Sequence, residues 1–208
     1  MPTRSRDTRS RLIEATSELI WSGGFRASSV DEICRSADVH KGSFYHFFPS
    51  KMDLAIEALR ANWQDTRDTV FGPIFSEKMK GMERLRAVVD AVDRLQRREF
   101  AARHVYLGCP FGNLGQEMAN QDERLQSALD EVFAGHVDYF QRALEEAAEA
   151  GECEPGDLRN RARRILALME GALLVAKVAN QPDRFTEVMR AAPLLARADP
   201  EAPRSLSH

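Results

Sequence analysis

Two short helical runs between residues 29 and 49 constrain this sequence most, because they are separated by only a tight turn. Ser29 and Glu32 have the S-x-x-E spacing of a capping box, which predicts that a helix starts at residue 30. That helix breaks near Asp38, a residue type that tolerates the left-handed backbone conformation. Two short helices around a turn of three residues predict a helix-turn-helix.

The second short helix is predicted from His40 or Lys41 to Phe47, and Pro49 marks its end. An earlier helix, with apolar residues recurring on one face from residue 10 onward, stops at Gly23–Gly24. In a helix-turn-helix the second helix lies in the major groove of DNA. The sequence therefore predicts a three-helix DNA-binding unit near its N-terminus.

The composition limits how this unit can bind DNA. Of the 208 residues, 43% are hydrophobic and 29% are charged, which is typical of a soluble globular protein. The formal net charge of -3 excludes a surface that is basic throughout, so DNA binding has to come from a local patch. A nonspecific architectural DNA-binding protein, which is an alternative, would carry a larger basic excess.

The run VDEICRSADVHKGSFYHFFPSKMDL resembles the DNA-binding motif of the TetR family of bacterial repressors, which has a Gly-x-x-Tyr-x-x-Phe helix followed by Ser-Lys. The resemblance covers about residues 5–65. It implies an all-α fold, with a helix-turn-helix domain at 1–50 and a larger helical domain for effector sensing and dimerisation at 51–197. It also implies a repressor that dissociates from a palindromic operator when it binds a small molecule or is modified by an electrophile or oxidant. The polar residues 198–208 are predicted to be a disordered tail.

The recognition helix divides into a core face and a DNA face. Phe44 and Phe48 are four residues apart and should face the preceding helices. Lys41 is the candidate for direct base readout, because an ammonium can donate to guanine O6 and N7. His40 is either a weak helix cap or a residue aimed at DNA. Lys51 and Ser29 match positions that contact phosphates in the resembling family. The full set of expected DNA contacts is Ser29, His40, Lys41, Gly42, Ser43, Tyr45, His46 and Lys51.

The rest of the chain is predicted to be helical, at residues 50–68, 77–102, 113–120, 123–150, 157–180 and 183–196. One motif of this size neutralises few phosphates, so specificity implies a homodimer that spans two half-sites about 34–36 Å apart, or a multiple of that. Residues 157–180 and 183–196 are expected to form its interface. Their periodicity fits an internal core equally well, and the family resemblance favours the dimer.

Aromatic and methionine side chains of the larger domain could line a pocket for a small-molecule effector that the sequence does not identify. The same spacing is explained by an ordinary core. The candidates are Trp63, Phe75, Tyr106, Met118, Phe133, Phe140 and Met169.

A turn at residues 107–114 places Cys109 near the start of a helix, where a thiolate is stabilised. The run resembles the Gly-Cys-x-x-x-x-Leu segment of a TetR-family branch that senses electrophiles or oxidants through this cysteine. In that branch a lysine partners the cysteine, and Lys177 matches it. The alternative is that Cys109 is an inert thiol.

No run approaches the roughly 20 apolar residues that span a membrane, and no apolar signal segment opens the chain, so a cytoplasmic protein is expected. The three cysteines form no CxxC pair, which fits reduced thiols. A small helical enzyme using Cys109 and His104 is a further alternative, but no HExxH, glycine-rich phosphate loop or catalytic triad supports it. No metal and no cofactor are expected.

Overall fold

The computed structural model describes the backbone of residues 3–197 and the side chains of residues 8–196, so the predicted disordered tail at 198–208 lies outside the described residues. Within this range all regular secondary structure is helical, as predicted. The helices are α1 (Thr3–Ser22), α2 (Val30–Ser36), α3 (Lys41–Phe47), α4 (Lys51–Thr66), α5 (Gly72–Ser76), α6 (Met82–Arg103), α7 (Pro110–Met118), α8 (Glu123–Glu149), α9 (Leu158–Ala179), α10 (Asp183–Met189) and α11 (Ala192–Arg197).

The chain forms two compact units. The first contains the chain up to Asp68 together with Leu107–Phe133, and the second contains Thr69–Tyr106 and the chain from Ala134 onward. The first unit therefore combines the three N-terminal helices with α4, α7 and the start of α8. The predicted boundary between residues 50 and 51 separates a DNA-binding domain from an effector-sensing domain rather than two compact units, and it stays a prediction.

The first unit is organised around α1, which packs against α2, α3, α4 and α7. Leu12 and Ile20 of α1 are fully buried, as the spacing of one helical face predicts. Phe44 and Phe48 of the recognition helix α3 join the same core. The prediction that these two aromatic residues face inward is confirmed, and it fixes which face of α3 looks outward.

Local capping interactions set the geometry of the helix-turn-helix. Ser29 and Glu32 form both hydrogen bonds of the capping box at the start of α2. Asp38 has a φ of 50°, so it adopts the predicted left-handed conformation in the turn. The side chain of His40 makes no capping hydrogen bond to α3. This absence fits both explanations for His40, a weakly capped helix and an imidazole aimed at DNA, so the choice between them stays a prediction.

The second unit contains α5, α6, α9, α10, α11 and the larger part of α8. Helix α9 packs against α10 and α11, and α10 also contacts α6. An ion pair at the edge of this core joins Arg84 Nε of α6 to Glu146 Oε2 of α8 at 2.7 Å. Burial alone would raise the pKa of Glu146, but hydrogen bonds from Arg84 and from the Gly81 amide lower it.

Three helix predictions differ from the structure. The predicted helix 183–196 is wrong, since the chain breaks after Met189 and α11 restarts with Pro193 in its first turn, where proline is tolerated. The predicted start at 77 moves to Met82, because Gly81 has a φ of 54°. Helix α7 begins at residue 110 rather than 113, because its proline fits the first helical position.

The sequence also missed a π-helical turn at Arg67–Phe71 and the short helix α5 that follows it. The single predicted helix 50–68 therefore ends within the range expected, but the chain continues in helical form to Ser76. None of the helices in the described range has both the length and the apolar character needed to cross a membrane.

Candidate DNA-binding surface and effector region

The outer face of α3 carries most of the residues predicted to contact DNA. Lys41, Gly42, Tyr45 and His46 are exposed, and Ser43 is half-buried. Tyr45 is a large aromatic residue with 54% of its surface accessible, which is unusual for its type. Because the opposite face of α3 is anchored by phenylalanines, these side chains are presented on a fixed surface.

Lys41 is held by an intramolecular partner. Its Nζ lies 3.0 Å from the carboxylate of Asp31 on α2, and both side chains are about half exposed. The hydrogen bond to Asp31 raises the pKa of Lys41, so the ammonium stays charged. An ion pair between exposed side chains contributes little to stability, because water competes for both partners. Lys41 can therefore exchange Asp31 for a base or a phosphate at small cost.

Gly42 is a glycine that packing within the protein does not require. A Cβ added to it would meet no atom within 4 Å, and its backbone is in the ordinary helical region. Glycine is a poor residue for a helix, since it costs about 0.5–1 kcal/mol relative to alanine. The open space above Gly42 is available to a partner that approaches the backbone closely.

Lys51 fastens the loop between α1 and α2, and Ser29 caps the start of α2. The three N–H groups of Lys51 Nζ donate to the carbonyls of Phe25, Arg26 and Ser28, and Nζ lies 4.2 Å from the centre of the Phe25 ring. Burial lowers the pKa of Lys51. A phosphate contact by Lys51 would require its amino group to leave one of these carbonyls, so in this structure Lys51 fastens the loop.

Arg11 makes a long-range contact that the sequence did not indicate. Its Nη2 donates to Asp38 Oδ2 at 2.8 Å and also to the Asp38 carbonyl, so it ties α1 to the turn that precedes α3. The two residues are far apart in the chain, and no local pattern indicates their contact. Arg11 thus positions the recognition helix.

Cys109 occupies the N-cap of α7, and the amide of Gly112 donates to its Sγ at 3.4 Å. It is half-buried, whereas Cys34 and Cys153 are buried and burial raises the pKa of both thiols. Cys109 is therefore the least buried of the three cysteines. It belongs to the first unit and Lys177 to the second, and their pairing stays a prediction.

The predicted pocket residues do not form one group. Phe140 and Met169 line a cavity of about 90 Å³ in the second unit, beside residues of α6, α10 and α11. Phe75 instead packs against the aromatic rings of Phe71 and Tyr139. Three other candidates lie in the first unit and pack against its hydrophobic core. They are Trp63, Met118 and Phe133.

Tyr106 is buried in the second unit with 1% of its surface exposed. Its hydroxyl has no hydrogen-bond partner among the described residues. Burial raises the pKa of this hydroxyl well above its ordinary value. An unsatisfied buried hydroxyl is a potential donor or acceptor for a ligand.

Family models cover both parts of the chain. Residues 12–58 match the model described as bacterial regulatory proteins of the tetR family. Residues 81–192 match the model described as the tetracyclin repressor-like C-terminal domain. The chain belongs to the TetR family.

Curated and solved relatives agree with this assignment. This TetR-family protein is 32% identical over 179 residues to the transcriptional regulator AcuR of Cereibacter sphaeroides, which covers 83% of this chain and 77% of AcuR. It is 27% identical over 174 residues to the transcriptional repressor NemR of Escherichia coli, which covers 83% of this chain and 85% of NemR. The crystal structure of a regulatory protein TetR from Rhodobacter sphaeroides superposes with a TM-score of 0.79 at 28% identity, covering 89% of this chain and 97% of that chain.

The TetR-family protein is thus a DNA-binding transcriptional regulator of the repressor type, and it is not an enzyme. Regulators of this family bind operator DNA and act as dimers. The predicted family, fold class and regulatory function are confirmed, and the enzyme using Cys109 and His104 is excluded as an alternative.

Proposed function

We propose that the protein reads a palindromic operator through the outer face of α3, with Lys41 contacting base edges and Tyr45 and His46 contacting phosphates. The observation that carries this proposal is the division of α3 itself, whose phenylalanines are buried while these three side chains are exposed. Gly42 would admit the DNA backbone, Ser43 would touch a base edge, and His40 would lie at the rim. A regulator of chromosomal DNA would act in the bacterial cytoplasm.

The second part of the proposal is a homodimer through α9 and the α10–α11 segment. Gly171, Leu174, Val175 and Val178 are exposed on α9 and have the i, i+3, i+4, i+7 spacing of one helical stripe. Val178 has 81% of its surface accessible, and Leu194 on α11 has 72%. A contiguous apolar stripe of this kind favours a protein interface. A symmetric dimer would place two copies of α3 on one face of the duplex.

The third part is release from the operator by an electrophile or oxidant that modifies Cys109, with Lys177 as its partner. The accessibility of Cys109 relative to the two buried thiols supports this choice, as does its position at the start of α7. A small apolar effector bound in the 90 Å³ cavity, or hydrogen-bonded to Tyr106, is the second candidate signal.

Selection of bound fragments from random DNA tests operator recognition. We expect a sequence with dyad symmetry, and Lys41→Ala should weaken its binding by about 1–3 kcal/mol at one base position of each half-site. Arg98→Ala, on the exposed surface of α6, is the control. A Lys41 variant with unchanged affinity and sequence preference would contradict the assigned role.

Alkylation with N-ethylmaleimide tests the sensor. Treatment should lower the operator affinity of wild-type protein and of Cys153→Ser, but not that of Cys109→Ser. If Cys109→Ser loses affinity as wild type does, the cysteine is not the sensor. Release by hydrophobic small molecules without thiol chemistry would instead favour the cavity or Tyr106.

A further inference from the structure

A closed set of hydrogen bonds joins the segment around Cys109 to the end of α1. The indole Nε1 of Trp21 donates to the Gly108 carbonyl at 2.8 Å. The amide Nδ2 of Asn113 donates to the Trp21 carbonyl at 2.8 Å and to the Leu107 carbonyl at 3.0 Å. We call Trp21, Leu107, Gly108 and Asn113 the α1–α7 clasp.

The clasp surrounds Cys109 on both sides in the sequence. Leu107 and Gly108 precede the cysteine, and Asn113 lies in the first turn of the helix that the cysteine caps. A third tie lies farther along α7, where Glu117 Oε2 accepts a hydrogen bond from the Arg26 amide at 3.0 Å. Movement of the cysteine segment would therefore break bonds to α1 and to the loop that follows it.

These bonds are well placed to be strong and specific. Asn113 has only 9% of its surface exposed, so water competes poorly for its amide. The Trp21 carbonyl is at the C-terminal end of α1, where helix carbonyls lack a partner within the helix. Helix α1 in turn packs against α2, α3 and α4. A shift at the clasp would thus move α1 and, through it, the helix α3 that carries Lys41 and Tyr45.

We propose that Trp21 and Asn113 are positioning residues that couple the Cys109 segment to the DNA-reading helices. In the operator-bound state the clasp is closed and holds the cysteine segment in one conformation. Operator binding then slows chemistry at Cys109, because a clasp that is held closed populates a reactive conformation of the cysteine segment less often. The inference rests on operator binding through α3, and it does not require Cys109 to be the natural sensor.

The test measures the rate at which N-ethylmaleimide modifies Cys109, with and without saturating operator DNA, by mass spectrometry of the peptide that contains Cys109. In wild-type protein the operator should slow this rate by about fivefold or more, because the reactive open conformation of the clasp becomes less populated by that factor. Trp21→Phe removes the indole donor and keeps an aromatic ring, and Asn113→Leu removes both amide bonds while keeping the number of side-chain heavy atoms. Each variant should reduce the slowing toward onefold.

The control is Gln64→Ala on α4, which removes the exposed hydrogen bonds that the Gln64 side chain makes with Asp68 and Arg67. It should keep the wild-type slowing. Because the readout is a ratio between bound and unbound protein, a variant that is merely less stable does not mimic the expected result. If Asn113→Leu fails to fold, Trp21→Phe carries the test alone.

The outcomes separate this inference from the function it rests on. A wild-type rate that the operator leaves unchanged would overturn the coupling, as would full slowing in Trp21→Phe at equal operator occupancy. Failure of the wild-type protein to bind any selected operator would overturn the proposed mode of DNA reading, and the coupling with it. Loss of slowing in the clasp variants, with Gln64→Ala unaffected, supports the proposal.

Discussion

Replacing Gly42 with alanine should move stability and operator affinity in opposite directions. The new Cβ meets nothing within 4 Å, and the backbone is already helical, so the substitution introduces no clash. Alanine is preferred over glycine in a helix interior by about 0.5–1 kcal/mol. Because Gly42 is the second residue of α3, we expect the lower value, about 0.5 kcal/mol. For a chain of this size that raises the melting temperature by about 1–2 °C.

Operator affinity should fall, since the methyl group occupies the space that a DNA backbone would enter. A loss of about 1.4 kcal/mol is a tenfold weaker Kd, and we expect at least this much. Thermal unfolding and fluorescence anisotropy with labelled operator measure the two quantities on one preparation. Gly115→Ala on α7 is the control, because its Cβ would make only ordinary contact with Leu129 at 3.9 Å. A more stable Gly42→Ala protein with wild-type affinity would refute close approach of DNA at this residue.

Three further substitutions test the charges and the buried polar groups. Asp31→Asn releases Lys41 and removes a negative charge near the proposed phosphate contacts, so operator titrations should show tighter binding, most clearly at low salt. Tyr106→Phe removes an unsatisfied buried hydroxyl and should stabilise the protein by about 1 kcal/mol in urea unfolding, whereas a loss would reveal a partner for that hydroxyl. Glu146→Gln should cost up to about 3 kcal/mol at pH 7, because the buried Arg84 guanidinium keeps its backbone carbonyl partners but loses its carboxylate. Because the folded state lowers the pKa of Glu146, the stability it contributes is present above its ordinary value of 4.5 and is lost as pH falls through the folded pKa. Unfolding curves of wild type and Glu146→Gln should therefore converge in acid.

Much of the DNA-binding unit was predictable because its signals are local. Ser29 and Glu32 are three residues apart and form the capping box that their spacing indicates. Asp38 adopts the left-handed conformation that its short polar side chain tolerates. The four-residue spacing of Phe44 and Phe48 placed both on the buried face of α3. Each of these features depends on neighbours within one turn of helix.

The internal partners of the site residues were not predictable, because they come from distant parts of the chain. Lys41 pairs with Asp31 on another helix, and Lys51 donates to carbonyls of residues 25–28. Neither contact has a periodic signature, since it depends on how α2, α3 and α4 pack. The sequence therefore predicts that these lysines contact DNA, and it does not show that each already has a partner within the protein.

The sequence by itself determined the helical fold, the helix-turn-helix and the outer face of α3, because capping and periodicity act over a few residues. Tertiary structure alone decided that the Cys109 segment is bonded to the end of α1 through Trp21 and Asn113. Trp21 and Asn113 are 92 positions apart in the chain, and the hydrogen bond between them exists only once the helices have packed. The local sequence pattern determines where the helices form, whereas their packing determines which polar groups form hydrogen bonds with each other.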